Sequence, residues 1–267
     1  MLIRRKLRFI QSRFPINILI FTINLENKIR RTKTSVVLIP NGGKFLIRDD
    51  KYKLYVCRKE RLILYTLGLT YRMNYLAEVY SLDNLNLDDK SVFIDCGANV
   101  GEVSVYVHTN FKSHIVAVEP EENEFECLTM NISNQVLFKG VLWNEEGTLK
   151  LFSKPDSADS SVIDFGQFVE CKTVEAITLD NLVSKIPSNW RMIIKIEAEG
   201  AEPEVLQGAS NAINRSEQIV IDGGPERGIL KERTENKNDM ILSEFGFVKT
   251  KVTSRAQKYE KTETYGF

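Results

Sequence analysis

The sequence predicts an α/β fold: a doubly wound, mostly parallel sheet preceded by a smaller α+β extension. Three observations carry that reading. Past Asp89, short apolar runs alternate with longer segments of helical length, the sign of βαβ units. A glycine-bearing segment, Asp95-Cys96-Gly97-Ala98-Asn99-Val100-Gly101, directly follows one of those runs. Before residue 90 the pattern differs, with short strand-like runs around Asn41-Gly42-Gly43 and then a stretch of helical spacing. The expected division is residues 1–89 as a lead-in and residues 90–267 as the main domain.

Length and composition agree with this reading. A chain of 267 residues has room for one large core and an appendage, and 43% hydrophobic with 27% charged residues is ordinary globular composition. The formal net charge is +0, but its distribution is uneven. Residues 1–33 carry nine basic residues (Arg4, Arg5, Lys6, Arg8, Arg13, Lys28, Arg30, Arg31 and Lys33) against the single acid Glu26. Such a segment either faces an anionic surface, such as lipid, or is a solvated arm. Phe14 to Leu25 is apolar but broken by Pro15, Asn17 and Asn24, and falls short of the roughly 18 to 20 residues that span a bilayer. No small-residue cleavage site follows it. Cys57, Cys96, Cys127 and Cys171 are widely spaced, which argues against a zinc cluster and for reduced thiols. A cytoplasmic chain is expected, with peripheral membrane contact through residues 1–33 left open.

The elements follow in order. Residues 1–33 read as a basic helix, Val36 to Ile39 and Lys44 to Ile47 as strands, and Lys53 to Arg58 as a third strand. Arg61 to Leu82 reads as one amphipathic helix with Leu64, Leu67, Tyr71, Tyr75, Leu76 and Val79 on its apolar stripe. Ser91 to Asp95, Ile115 to Glu119, Met192 to Glu197 and Gln218 to Asp222 are the clearest strands, and Thr148 to Phe152 reads as part of a hairpin. Phe247 to Thr253 and Lys258 to Thr264 form an expected terminal antiparallel pair. Val103, Val105, Tyr106 and Val107 favour strand by propensity, but a parallel crossover requires a helix there.

The residues suited to chemistry lie where these strands end. Glycines after a buried strand permit a tight turn and close approach of a ligand to the backbone. A dinucleotide fingerprint would need glycine at 99 and 102, where this chain has Asn99 and Glu102, so NAD is disfavoured. Glu119 ends the next strand, where a carboxylate can accept both hydrogen bonds of a ribose diol. On an extended chain Lys195, Glu197 and Glu199 would share one face of their strand, an arrangement that is costly unless the groups pair or serve a site. Glu202 before Pro203 suits the first turn of a helix. Asp222 closes the following strand at the same edge, and Arg227 stands in the glycine-rich turn after it.

The ordered set DCGANVGE, AVEPEENEF, VLWNEEG, ITLDNL, KIEAEGAEPEVLQGA and IDGG resembles the FkbM family of S-adenosylmethionine-dependent methyltransferases over about residues 90 to 250. One departure is Glu197, where the family usually has Asp. The resemblance implies a class I methyltransferase-like, seven-stranded sheet and S-adenosylmethionine as cofactor, held by Asp95, Gly97, Ala98, Asn99, Gly101, Glu119, Pro120 and Ser161. It implies O-methylation of a sugar or glycan precursor, with Lys195, Glu197, Glu199 and Asp222 at the reacting end. Glu197, Glu199 and Asp222 could offer oxygen ligands to magnesium, but no regular spacing supports a metal. His108 is expected on a surface helix and His114 in a loop. Asp156, Ser157, Asp159, Ser160 and Ser161 form a polar loop that either closes over the site or is plain solvent loop. A non-catalytic carbohydrate-binding or scaffold protein on the same fold is the alternative. Nucleic acid is disfavoured, since no basic stripe with interleaved aromatics follows the amino-terminal segment.

Overall fold

The computed structural model describes residues 14–40, 42–83, 85–154, 159–166, 168 and 170–262. Residues 1–13 of the expected basic helix, Asn41 of the expected turn, and Asp156 and Ser157 of the polar loop lie outside them.

Helix α1 (Ile16–Arg30) follows Pro15 and ends at Arg31 in the left-handed conformation. Leu19, Ile23 and Asn27, four residues apart, form its buried face. Asn24 clamps the helix to the next strand by accepting from Val36 N at 2.8 Å and donating to Val36 O at 2.9 Å. Asn27 donates to Ile23 O at 3.0 Å and Tyr65 O at 3.1 Å. Strands β1 (Ser35–Leu38), β2 (Phe45–Arg48) and β3 (Lys53–Val56) form an antiparallel meander.

The single helix expected over 61–82 is instead a 3₁₀ helix, Lys59–Tyr65, followed by α2 (Leu69–Val79). Gly68 separates them with φ 99°, and a Cβ there would lie 2.9 Å from the Thr32 side chain. The break resets the helical phase. Leu62, Tyr65, Leu69, Met73, Leu76 and Ala77 are buried, whereas Tyr71 and Tyr75 of the expected stripe are 56% and 40% exposed.

The main domain begins with β4 (Ser91–Cys96), α3 (Glu102–Phe111), β5 (His114–Val118), α4 (Glu122–Asn131) and β6 (Val136–Phe138). A small sheet follows, built from β7 (Val141–Leu142), β8 (Gly147–Lys154), β9 (Asp159–Ser161) and β10 (Glu170–Ile177), with order β7-β10-β8-β9. The expected short hairpin is therefore one long strand with a partner on each side. The chain then forms α5 (Leu179–Leu182), β11 (Arg191–Ile196), α6 (Glu202–Gln207), α7 (Ser210–Arg215) and β12 (Ser216–Asp222). A ribbon of β13 (Pro225–Arg227) and β14 (Glu232–Arg233), then α8 (Glu235–Glu244), β15 (Phe247–Val252) and β16 (Ala256–Lys261), complete the described part.

The class I methyltransferase-like, seven-stranded sheet is present in the order β15-β16-β12-β11-β4-β5-β6. Neighbours from β12 to β6 are parallel, and β16 and β15 add the antiparallel pair expected at the end. Connections leave β4 toward β5 on one side while β11 lies on the other, so the chain reverses between β4 and β11 and opens a crevice at their carboxyl ends. Alternation divides the core. Val92, Ile94, Ile194, Ile196 and Ile219 pack on the side of α6, α7 and α8, while Phe93, Ile115, Ala117, Ile193 and Val220 face α3, α4 and the amino-terminal segment. On that second face one apolar cluster runs from Leu19 through Leu76 to Val107, without a break in packing at residue 89.

Helix α3 forms where propensity favours strand, because Val103, Val105, Tyr106 and Val107 are all buried between the sheet and the amino-terminal elements. His114 opens β5 rather than sitting in a loop, with its ring 4.4 Å from that of Trp190. No helix among the described residues is long and apolar enough to cross a membrane.

Truncating Asn27 to Ala removes its buried bond to Tyr65 O, which keeps only Gly68 N, and takes the acceptor from the Thr32 hydroxyl; it should lower unfolding free energy by about 1 to 3 kcal/mol, readable from urea denaturation.

Candidate active site

The carboxyl ends of β4, β5 and β11 open into a cavity of about 610 Å³. Its wall is shared between the main domain (Gly97, Asn99, Glu119, Glu197), the small sheet (Leu142, Leu151, Ser161) and the amino-terminal segment (Arg61, Arg72, Tyr80).

The glycine loop is shaped by its neighbours. Gly97 has φ 71°, and a Cβ on it would lie 1.9 Å from the Glu197 carbonyl oxygen, so only glycine lets the loop cross the end of β11. Val118 O accepts from Gly97 N at 3.1 Å and Ala98 N at 2.9 Å. Glu119 then fastens the next turn: one carboxylate oxygen accepts from Asn99 N at 2.8 Å, the other from Glu121 N at 2.9 Å. Burial pushes Glu119 up to about 7, and these two amide bonds hold it from rising further.

Behind the loop lies an ionic cluster. Asp95 and Lys195 are register partners on β4 and β11, and both point to the α3 face. Lys195 Nζ sits 3.0 Å from Asp95 Oδ1 and 3.1 Å from Glu197 Oε2. It also donates to the carbonyls of Cys96 and Gly97 at 3.2 and 2.9 Å. Asp95 accepts from Ser104 Oγ at 2.6 Å, which ties the first turn of α3 to the strand. Burial opposes the Lys195 charge, but Asp95 and Glu197 outweigh it and raise its pKa. Glu197 also takes Tyr80 OH at 2.7 Å and Arg255 Nη2 at 2.6 Å. Burial would raise its pKa, yet Lys195 and Arg255 prevail and hold it at about 2.

These positions correct parts of the sequence reading. Strand β11 stops at Ile196, and Glu199 has φ 49°, so Lys195, Glu197 and Glu199 do not continue as one extended face. Gly97, Ala98, Asn99, Glu119, Pro120, Ser161, Lys195, Glu197 and Glu199 do line the cavity. Asp95, Gly101 and Asp222 are not among the residues that line it. Asp222 pairs with Arg255 at 2.7 Å. Arg227 does not line the cavity either, being forked onto Glu204 at 2.7 and 2.8 Å and donating to Gly200 O. Ser161 donates to Glu199 O at 2.8 Å and so fastens the small sheet to the β11 loop.

Several lining residues carried no sequence signal. Arg72 grips Glu102 with two bonds of 2.8 Å, Tyr65 OH donates to the same acid, and Arg61 stands 3.6 Å from it. Burial notwithstanding, these cations hold Glu102 at about 2. Arg61 Nε is buried without a hydrogen-bond partner. Glu226 lines the opposite part of the cavity, and its Oε2 is likewise buried and unpartnered. Burial, then the neighbouring Asp222, Glu197 and Glu202 charges, push Glu226 up to about 7 against the pull of Arg255. Glu202, buried at the start of α6, accepts from Ala198 N and Gly200 N at 3.0 Å and from Thr234 OH at 2.8 Å, which folds the β11 loop over the crevice. Among the described residues no group of three or more His, Cys, Asp or Glu is placed to hold a metal ion.

The sequence matches the family model described as the methyltransferase FkbM domain over residues 95–260. Among curated proteins it is 25% identical over 141 residues to the hexuronic acid methyltransferase AglP of Haloferax volcanii, covering 51% of this chain and 56% of that protein. The chain thus spans little more than half the length of that relative. Among solved structures, the precorrin-6y C5,15-methyltransferase of Geobacter metallireducens GS-15 superposes with a TM-score of 0.40 at 16% identity, covering 70% of this chain and 86% of that one. M. jannaschii TYW2 in complex with AdoMet gives 0.39 at 11% identity, covering 85% and 90%.

Replacing Lys195 by Met leaves Asp95 and Glu197 without their shared cation. The variant should lose about 3 to 5 kcal/mol of stability in chemical unfolding, more than Glu197→Gln, which keeps Asp95 paired.

Proposed function

The chain belongs to the FkbM methyltransferase family, and from that premise we propose that it transfers the methyl group of S-adenosylmethionine to a hydroxyl oxygen of a sugar or glycan precursor. The observation that carries this reading is a single cavity with the glycine loop and Glu119 in one part of its wall and Glu226 with Arg255 in another.

The residues present fit the cofactor. Each Glu119 oxygen accepts one backbone amide and retains a lone pair for a ribose hydroxyl. Gly97 and Ala98, with little or no side chain, let a ligand approach the loop closely beside it. Arg61, in the lining beside Glu102 at the start of α3, supplies a guanidinium for the carboxylate of a methionyl group. When bound, S-adenosylmethionine supplies an electrophilic methyl on a sulfonium, so the protein's task is to align the acceptor and take its proton.

Glu197 is poorly suited to take that proton. Lys195, Tyr80 and Arg255 occupy its oxygens, and a carboxylate held at about 2 is a weak base. We assign it, with Lys195, to positioning the β11 loop and Arg255. Asp222, paired to the same guanidinium, is given that role too. Glu226, with an unpartnered oxygen and a pKa of about 7, is assigned as the proton acceptor, and Glu199 as a contact to the acceptor. A sugar acceptor draws support from the relative named as a hexuronic acid methyltransferase. Arg255 and Lys231 in the lining supply cations that suit an acidic sugar.

Calorimetric titration tests the cofactor half. S-adenosylhomocysteine should bind, and Glu119→Ala should weaken it by roughly 10- to 100-fold. Arg61→Gln should weaken S-adenosylhomocysteine to a similar degree while leaving 5′-methylthioadenosine, which lacks the carboxylate, unchanged. No binding of either ligand by the wild-type chain would end the proposal.

The proton-acceptor assignment has a pH signature. Methyl transfer to hexuronate glycosides should rise as pH passes through about 7 and then level. Glu226→Gln should slow transfer by roughly 10²- to 10⁴-fold and flatten the profile without changing S-adenosylhomocysteine affinity. A folded-state pKa above the unfolded value means that this carboxyl's contribution to stability is present at low pH and lost as pH rises through about 7. The Gln variant should therefore melt a few degrees above wild type at pH 8 and close to it at pH 4.

A further inference from the structure

Helix α1 is apolar on two sides. Its inner face holds Leu19, Ile23 and Asn27 against the core. Its outer face presents Ile18, Phe21, Leu25 and Ile29, which are 48%, 65%, 44% and 72% exposed. Their spacing of three, four and four residues places them on one stripe along three turns. Single exposed apolar side chains are ordinary, but a continuous stripe of four is a surface that water leaves unsatisfied. Cations stand beside it: Lys28, Arg30 and Arg31 are exposed at the end of the helix. Across residues 1–33 there are nine basic residues and one acid, while the rest of the chain carries the compensating negative charge.

We propose that the outer face of α1 docks on an anionic phospholipid bilayer, lying in the interface plane with Ile18, Phe21, Leu25 and Ile29 among the acyl chains and the flanking basic residues against the headgroups. Charge complementarity selects this occupant. The attraction is confined to the segment that bears the stripe, and the acidic remainder of the chain is repelled from the same surface, which orients the molecule. The helix spans 15 residues, too few to cross a bilayer and enough to lie on one. Asn24 and Asn27 hold its polar contacts on the protein side, so docking requires no rearrangement of the core.

Co-sedimentation of the full chain with vesicles tests this directly. Binding should be strong to vesicles rich in phosphatidylglycerol, weak to pure phosphatidylcholine, and reduced by added salt. The double substitution Phe21→Ser with Ile29→Ser lies at exposed positions and should leave the thermal melt intact while lowering partition by about tenfold or more. Lys28→Gln, Arg30→Gln and Arg31→Gln together should reduce binding to anionic vesicles alone. Equal partition into neutral and anionic vesicles would overturn the proposal. So would an unchanged partition of the Phe21/Ile29 variant, which would mean that the basic segment acts alone or that residues 1–13 cover the stripe. A wild-type dimer that the same variant converts to monomer would assign the face to a second copy of the chain instead.

Discussion

The buried contact of Lys195 with Asp95 and Glu197 sits where the sheet reverses direction, and the geometry of the cavity depends on it. Two carboxylates and one ammonium taken from water are costly singly, and their close packing with two carbonyls offsets that cost. The cluster joins three things that must stay in register. Asp95 holds Ser104 and so the first turn of α3, Lys195 holds the glycine-loop carbonyls, and Glu197 holds Tyr80 and Arg255. Removing Lys195 leaves Asp95 and Glu197 without their shared cation, whereas removing Glu197 leaves Asp95 and Lys195 paired. The cluster is thus a constraint on the whole crevice more than a source of reactivity.

The amino-terminal segment supplies part of the cavity wall. Arg61, Arg72, Leu76 and Tyr80 line the cavity, and Glu102 at the start of α3 is held by Arg72 and Tyr65 from before residue 89. The packing is continuous as well, since Leu76, Ala77 and Tyr80 share one apolar cluster with Val103 and Val107. Wall and support therefore come from both sides of the boundary that sequence pattern alone would draw.

Much of this was legible in the sequence, for reasons that differ by residue. The strands β4, β5, β11 and β12 were readable because they are buried on both faces and so appear as unbroken apolar runs. Gly97 and Glu119 were readable because strand ends in a doubly wound sheet face a crevice. The short strands β6 and β7, of three and two residues, carry too few side chains to show a period. Gly68 was lost inside a helical pattern that continued on its far side in a new phase. Arg255 and Glu226 were invisible for a different reason: they lie in the β15–β16 turn and in β13, and only tertiary structure brings them to the cavity.

The acids around the cavity separate into two groups by what surrounds them. Glu102 is buried and Glu197 partly so, yet both remain at about 2, because guanidinium, ammonium and phenol groups are built against them. Glu119 is buried and Glu226 half-buried, neither with a cation in contact among the described residues, and both rise to about 7. Burial acts on all four in the same direction, so the presence of a paired cation decides the outcome. A carboxylate that is always ionised serves as a fixed charge that places other groups, while one poised near neutrality can exchange a proton. Of the two poised acids, Glu119 has its oxygens engaged by amides at the glycine loop, whereas Glu226 lines the cavity with one oxygen buried and unpartnered. Two carboxyls in one wall thus differ in what surrounds them, and the proposed transfer to a hydroxyl would draw on that difference, with Glu119 as a fixed acceptor of hydrogen bonds and Glu226 as the group that exchanges a proton.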